Sequence, residues 1–199
     1  MLVFAKEKLV FMALPKTGTT ALETTLEPAA AVVLRKSPNL KHTPGFRYEA
    51  YLKTYLAKFS LANLQTVCVV REPVDWLRSW CRYHARPAKD GAANSTKDMT
   101  FDAFVAEYTA TDPAPFARVG YPPRFIRDND VQVMVDHLFQ YEQVPRLISF
   151  FEDRLDIKIN LPQRNVSPRN DMSLSATTRS ALEAKFPQKF EDWETARRT

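Results

Sequence analysis

The stretch that decides the fold is residues 9–20, which read Leu-Val-Phe-Met-Ala-Leu-Pro-Lys-Thr-Gly-Thr-Thr. A continuous apolar run stops at Pro15, and a lysine, a glycine and three threonines follow before a helical pattern begins at Ala21. A strand, a tight turn and a helix N-terminus bring free backbone N–H groups to the positive end of a helix dipole. The sequence therefore predicts an anion site, to which Lys16 adds a mobile positive charge and the threonine hydroxyls add hydrogen-bond donors.

The same stretch differs from the phosphate-binding loop of ordinary ATPases. That loop requires the pattern Gly-x-x-x-x-Gly-Lys-[Ser/Thr]. Here Lys16 precedes Gly18, and residues 10–15 contain no glycine. We therefore expect the loop to bind a phosphate-type group, but not in the manner of that family of ATPases.

Length and composition are those of an ordinary globular protein. The chain has 199 residues, of which 45% are hydrophobic and 26% charged, so we expect a single domain over residues 1–199. The net charge of +5 favours an anionic ligand, although many proteins are mildly basic without a specific reason. No segment is long enough for a transmembrane helix, and residues 1–15 lack a signal-peptide cleavage site. We therefore expect a cytoplasmic protein with no membrane span.

The two cysteines are expected to be buried free thiols. Cys68 lies in an apolar, strand-like run, and Cys81 lies on the apolar stripe of a predicted helix. Buried free thiols fit a reducing compartment. Neither a metal-ligand spacing nor a Cys-x-x-Cys pair is present, so we predict no metal site.

Strand-like and helical patterns alternate along the first half of the chain. Three apolar runs do not alternate with polar residues, namely residues 9–14, 29–34 and 66–70. Such runs are typical of strands that are buried on both faces of a parallel sheet. Helical patterns over residues 20–26 and 44–59 separate them, and the first includes a Thr20-Ala-Leu-Glu23 capping box. This alternation predicts a doubly wound α/β fold.

The second half of the chain is predicted to be mainly helical. We expect helices at 101–108, 144–155 and 175–186, one that starts near Pro73, and a further turn around Trp193. Alternation over residues 131–141 predicts one more strand. Residues 85–97, 112–123 and 161–172 are expected to form loops or irregular segments.

A second motif repeats the opening arrangement at residues 66–73, Thr-Val-Cys-Val-Val-Arg-Glu-Pro. A buried strand ends at Arg71, and the helix that Pro73 opens carries Ser79 on its polar side. Ligands of open parallel sheets bind at the carboxyl ends of the strands, so Lys16 and Arg71 are expected to face one crevice. Two separate cationic sites indicate a ligand with two phosphate-type groups.

Together the two motifs resemble those of sulfotransferases that use 3′-phosphoadenosine 5′-phosphosulfate (PAPS). Leu14-Pro15-Lys16-Thr17-Gly18-Thr19-Thr20 is similar to the family's 5′-phosphosulfate loop, and Arg71-Glu72-Pro73 with Ser79 is similar to its 3′-phosphate motif. Tyr141-Glu142 and Asn165-Val-Ser167 are similar to weaker family features. The resemblance implies a P-loop-NTPase-like, three-layer α/β fold with a central, mainly parallel sheet flanked by helices, and it implies no metal cofactor.

The resemblance also implies roles for individual residues. Lys16 would stabilise the bridging and leaving oxygens of PAPS, and Arg71 and Ser79 would bind the 3′-phosphate that distinguishes PAPS from ATP. The backbone amides of residues 17–20 would hold the 5′-phosphate. The full set of expected cofactor-binding residues is Pro15, Lys16, Thr17, Gly18, Thr19, Thr20, Arg71, Ser79, Ser167 and Arg169. The loop with Ser167 and Arg169 could instead be a solvated basic segment.

His42 is the first candidate for the base that removes the acceptor's proton. It lies in Lys41-His42-Thr43-Pro44, between a strand-like run and a helix, where it can face the crevice. Uronosyl-type carbohydrate sulfotransferases, which this chain resembles, have a histidine in a similar place that serves as the base, and its ordinary pKa lies near neutrality. Alternatively, His42 is a histidine of a surface loop, and the base is a carboxylate, either Glu49 or Asp75.

The remaining histidines and two tryptophans have simpler interpretations. His84 is expected to be exposed or to cap a helix, and His137 to lie in the core. Trp76 and Trp80 share one apolar stripe and are expected to pack in the core rather than to stack on adenine.

The sequence thus predicts transfer of a sulfuryl group from PAPS to an acceptor hydroxyl, with a carbohydrate as the expected acceptor. The alternatives are a P-loop-type nucleotide kinase or phosphotransferase and a non-catalytic nucleotide-binding protein of the same fold. Each of these residues also has a simpler interpretation: Arg71 could form a salt bridge, Ser79 could face solvent, and the threonines could cap a helix. None of these interpretations explains why the residues occur together. Because the basic residues are scattered and no nucleic-acid motif is present, we expect no nucleic-acid partner.

Overall fold

The computed structural model describes residues 1–128, 132–161 and 172–196. Its strands are β1 (Leu2–Phe4), β2 (Leu9–Met12), β3 (Val32–Val33), β4 (Gln65–Val70) and β5 (His137–Gln140). Its α-helices are α1 (Thr19–Leu26), α2 (Pro38–Lys41), α3 (Gly45–Arg47), α4 (Thr54–Ala57), α5 (Pro73–His84), α6 (Phe101–Tyr108), α7 (Pro123–Ile126), α8 (Val144–Leu155), α9 (Ala176–Lys185) and α10 (Pro187–Thr195). A π-helical segment, Tyr48–Lys53, joins α3 to α4. No helix among the described residues is long and apolar enough to cross a bilayer.

Two compact units make up the described chain. The first comprises residues 1–71, 121–161 and 192–196, and the second comprises residues 72–120 and 172–191. All five strands belong to the first unit, whereas the named elements of the second unit are helical.

The sheet of the first unit has the strand order β3-β1-β2-β4-β5. The pairings of β2 with β4 and of β4 with β5 are parallel, whereas β1 is antiparallel to both β2 and β3. The sheet is therefore mixed, and the expected mainly parallel sheet is only partly observed. The reason is that residues 5–8 connect β1 to β2, and a connection this short allows only an antiparallel hairpin.

Both faces of this sheet are buried, as the lack of alternation predicts. Successive strand residues belong to two different apolar clusters, because side chains alternate between the faces of a strand. One cluster contains Val10, Met12, Cys68 and Val70, together with Tyr48 and Leu56 of the helical stretch. The other contains Leu9, Phe11, Val67 and Val69, together with residues of α1 and α8. The carboxyl ends of β2, β4 and β5 thus lie at one edge of a sheet that is packed on both faces.

The second unit has its own apolar core between α5, α6 and α9. Trp76, Leu77, Phe104 and Leu182 are buried there, and Trp80 packs against the same cluster. The two tryptophans therefore belong to the core, as expected. Cys81 is buried in this unit and Cys68 in the first, and both are free thiols, as expected.

Several elements differ from the sequence predictions. The capping box is wrong, because Gly18 is the N-cap of α1 and Thr20 lies inside the helix. Strand β1 was not predicted, and the strand expected at 131–141 is reduced to β5, with an isolated bridge between Arg127 and Val133 before it. The loop expected at 161–172 lies mostly outside the described residues. The helices predicted at 101–108 and 144–155 have the predicted bounds.

Candidate anion-binding site

The loop between β2 and α1 turns tightly at two residues in the left-handed region. Lys16 and Gly18 both have a φ of +68°. For a residue with a side chain this conformation costs about 1–2 kcal/mol. Gly18 is required for a second reason, since a Cβ atom there would lie 2.6 Å from Cε2 of Tyr141. The conformation of the loop therefore depends on a lysine with a strained backbone and on a glycine that packs against an aromatic ring.

The N-terminus of α1 presents backbone N–H donors at this loop. No side chain of the described residues caps it, and its first turn contains no acidic residue. Its first backbone N–H groups have no partner within the helix. The hydroxyl of Thr17 is used internally, since it donates to the carbonyl oxygen of Leu14 at 2.8 Å. Thr17 thus braces the loop with its side chain, Thr19 is buried and Thr20 is exposed.

Arg71, which directly follows β4, contacts the loop that follows β2. Its Nη1 donates to the carbonyl oxygen of Lys16 at 3.4 Å, and its guanidinium carbon lies 4.5 Å from the ring centroid of Tyr141. Its Nε is buried and has no hydrogen-bond partner among the described residues. The two sequence motifs therefore meet in the first unit, with Tyr141 packed on both Gly18 and Arg71.

His42 lies beside the end of β2. Its Nδ1 is 2.6 Å from the carbonyl oxygen of Ala13. A carbonyl oxygen can only accept, so Nδ1 carries the hydrogen and Nε2 is the acceptor of the neutral ring. Burial is the largest cause that lowers the pKa of His42 below its ordinary value of 6.5. His42 is therefore neutral and held in one tautomer near pH 7, as a general base requires.

Lys41 and Glu23 join this site, and the sequence did not single them out for it. The Nζ of Lys41 lies 3.0 Å from Oε2 of the buried Glu23 and 3.2 Å from Oγ1 of Thr20. This contact links the segment of His42 to the first turn of α1. The signal in the sequence was weak, because Glu23 fits the pattern of a capping box and Lys41 is one of many lysines.

The structure does not join the remaining candidate residues to this site. Ser79 is half-buried on α5 and belongs to the second unit, and Ser167 and Arg169 are outside the described residues. Glu49 pairs with Lys53 at 2.6 Å and Asp75 with Arg78 at 2.7 Å, each on its own helix. No group of three residues able to hold a metal ion occurs in the described part of the chain.

The two remaining histidines pack against apolar surroundings. The prediction that His84 is exposed is wrong, because it is 5% exposed and its Nδ1 lies 3.2 Å from the carbonyl oxygen of Phe116. The last turn of α5 faces the second unit's core, which takes His84 out of solvent. His137 is half-buried with its ring centroid 4.9 Å from that of Phe150, and burial lowers its pKa.

Compared with known proteins, the chain matches no family model, no curated protein and no solved structure.

Proposed function

We propose that the protein is a PAPS-dependent sulfotransferase that transfers a sulfuryl group to an acceptor hydroxyl, with a carbohydrate as acceptor. The observation that carries this proposal is the contact of Arg71 with the carbonyl oxygen of Lys16, 3.4 Å long. It brings Lys16 and Arg71, which are far apart in sequence, next to each other, and this supports one site for two phosphate-type groups. A P-loop-NTPase-like arrangement of the sheet between helices is part of the same proposal.

The donors at this site suit the phosphate groups of the nucleotide. The orphaned Nε of Arg71 and the uncapped N-terminus of α1 both lack an acceptor among the described residues. Charge-assisted hydrogen bonds to phosphate oxygens would satisfy both. In the proposal the loop amides hold the 5′-phosphate, and Arg71 holds the 3′-phosphate.

For the transfer, PAPS supplies the sulfuryl group and the chain supplies charge and a base. Lys16 neutralises the negative charge that develops on the leaving oxygen. Nε2 of His42 accepts the proton of the acceptor hydroxyl, while its Nδ1–H stays bonded to Ala13 and orients the ring. Positioning and electrostatic stabilisation account for the rate enhancement in this scheme.

Substitution of Arg71 tests the nucleotide site. We expect Arg71→Ala to weaken binding of adenosine 3′,5′-bisphosphate at least about tenfold, or 1.4 kcal/mol, with little effect on 5′-AMP, as measured by calorimetric titration. Arg154→Ala is a matched control, because Arg154 is also half-buried, donates to a backbone carbonyl and stacks on an aromatic ring. Equal losses for both nucleotides would remove Arg71 from the 3′-phosphate site. A preference of the unmodified protein for ATP with Mg²⁺ would favour a kinase instead.

Substitution of His42 tests the base. His42→Asn keeps a donor for the carbonyl of Ala13 and removes the proton acceptor, so transfer should fall about 10²- to 10⁴-fold while bisphosphate binding is retained. Because the pKa of His42 is lowered from 6.5, the pH at which the rate of the unmodified protein falls to half should lie below 6.5. His137→Asn, at the other half-buried histidine of the same unit, should leave the transfer rate unchanged. Turnover by the His42 variant at the unmodified rate would point to a carboxylate base.

A further inference from the structure

Glu23 is a buried carboxylate on α1, near two leucines of the same helix that pack in the core. The residue is 5% exposed, and the leucines, Leu22 and Leu26, belong to one of the two apolar clusters of the sheet. Oxygen Oε2 of Glu23 lies 3.0 Å from Nζ of Lys41, and Oε1 lies 3.0 Å from the amino nitrogen of Met1. A buried ion pair adds little net stability, because both charges lose their hydration, and in some proteins such a pair serves instead to fix one geometry.

Lys41 connects a separate segment of the chain to α1. Its Nζ also donates to Oγ1 of Thr20 at 3.2 Å. Thr20 and Glu23 are three residues apart, so they lie on one face of α1 and a single ammonium group can contact both. The side chains of Lys41 and Glu23 are 18% and 7% exposed, whereas those of the pair Lys53–Glu49 are 44% and 36% exposed. The contact of Lys41 with Glu23 is therefore the less screened of the two pairs.

The segment that precedes His42 has no buried side chain of its own. Residues 35–40 are all exposed, and α2 (Pro38–Lys41) has only four residues, none of them buried. A helix this short is not stable by itself, because its nucleation is unfavourable. The carbonyl oxygen of Lys41 also accepts from the amino group of Met1 at 3.1 Å, and that amino group contacts Glu23. Both the side chain and the backbone of Lys41 are thus tied to Glu23.

We propose that Glu23 and Lys41 are positioning residues that hold His42 in the orientation required for proton transfer. The inference rests on the proposed function, in which Nε2 of His42 accepts the proton. The contact of Nδ1 with the carbonyl oxygen of Ala13 sets the tautomer of the ring, and the ion pair sets the position of the backbone that carries it. A displacement of about 1 Å at a catalytic group can cost about 10²-fold in rate, so this second constraint matters.

The charges of the pair also act on the His42 ring. Burial is the largest cause that lowers the pKa of His42, and the positive charges of Lys41 and Met1 lower it as well, whereas the hydrogen bond to Ala13 and the charge of Glu23 raise it. Loss of the Lys41 ammonium group should therefore raise the pKa of His42 toward 6.5, because a positive charge is removed and a displaced ring is less buried. A role in stability alone would not move this pKa.

Kinetics of the full chain test the pair. Lys41→Met and Glu23→Gln should each lower kcat about 10- to 10²-fold, with the affinity for adenosine 3′,5′-bisphosphate within about twofold of the unmodified value. Lys41→Arg keeps the cation and should lose less than about threefold in kcat. In the His42→Asn background, Lys41→Met should cause no further loss, because it acts through His42. The control Lys53→Met, which breaks the exposed pair with Glu49, should keep the full rate.

NMR titration of the imidazole rings measures the state of His42 without turnover. The chain has three histidines, so the spectrum of His42→Asn assigns the signals of His42. The ring nitrogen shifts should show that Nδ1 carries the hydrogen in the unmodified chain and that this form loses population in Lys41→Met and Glu23→Gln. The pKa of His42 should rise in Lys41→Met and stay unchanged in Lys53→Met.

The outcomes separate this inference from the proposed function. Unchanged ring signals in Lys41→Met and Glu23→Gln overturn the inference, and so does a further loss of rate in the His42→Asn background. A loss of bisphosphate affinity in Lys41→Met alone also overturns it, because Lys41 would then contact the nucleotide. If the NMR spectrum shows that Glu23→Gln is unfolded, the comparison of Lys41→Met with Lys41→Arg decides. If the unmodified chain transfers no sulfuryl group, the proposed function fails, and the ring signals still decide whether Glu23 and Lys41 hold His42.

Discussion

At the scale of single residues, Lys16 combines a strained backbone with the charge that the proposed reaction needs. Lys16→Ala should cut the transfer rate far more than the affinity for adenosine 3′,5′-bisphosphate, because it removes charge that acts on the leaving oxygen. Lys16→Gly should lower the transfer rate to the same extent as Lys16→Ala. It should be about 1 kcal/mol more stable than Lys16→Ala, because glycine adopts the positive φ without a steric penalty. Urea denaturation and initial rates measure the two effects separately.

Lys8 provides the control for this prediction. It also has a positive φ, of 53°, and it is exposed in the turn between β1 and β2. Lys8→Gly should therefore exceed Lys8→Ala in stability by a similar amount, with both variants fully active. If Lys16→Ala kept the full rate, Lys16 would not act on the leaving oxygen, whatever its backbone strain.

At the scale of elements, the sequence predicted the strands and helices whose patterns are local. The uninterrupted apolar runs of β2 and β4 and the periodicity of α6 and α8 appear in the structure. The short strand β1 was missed because it is a three-residue apolar segment, and its pairing with Val32–Val33 depends on contacts distant in sequence. The contact of Arg71 with Lys16 could be expected, because the carboxyl ends of parallel strands lie at the same edge of a sheet. The packing of Tyr141 on Gly18 could not be expected, because it depends on residues that are distant in sequence.

The wrong capping box gives a prediction at this scale. In α6 the Oγ1 of Thr100 accepts from the backbone N of Ala103 at 3.2 Å, whereas Thr20 is not the N-cap of α1. Thr100→Ala should therefore lower the free energy of unfolding by about 1 kcal/mol, and Thr20→Ala should change it by less than about 0.5 kcal/mol. Denaturant titrations of both variants measure this. A loss for Thr20→Ala as large as that for Thr100→Ala would restore the capping interpretation.

At the scale of the whole molecule, a buried lysine in the second unit makes stability depend on pH. Lys189 is 4% exposed, and its Nζ lies 4.8 Å, 4.1 Å and 5.1 Å from the ring centroids of Trp76, Tyr108 and Phe186. It also donates to the hydroxyl of Tyr108. Burial lowers the pKa of Lys189 well below 10.5, because an ammonium group loses its hydration there.

The sign of the resulting pH dependence follows from this lowered pKa. Between the folded-state pKa of Lys189 and pH 10.5, the unfolded chain binds a proton at Lys189 that the folded chain does not bind. The contribution of Lys189 to stability is therefore full above pH 10.5 and is lost as the pH falls through this interval. Lys189→Met should remove this slope and stabilise the protein at neutral pH, as urea denaturation between about pH 7 and pH 10 measures. Lys185→Met removes an exposed lysine from the same unit and should leave the slope intact. An unchanged slope in the Lys189 variant would mean that the ammonium group is as well stabilised among the aromatic rings as in water, so that cation–π contacts offset its burial.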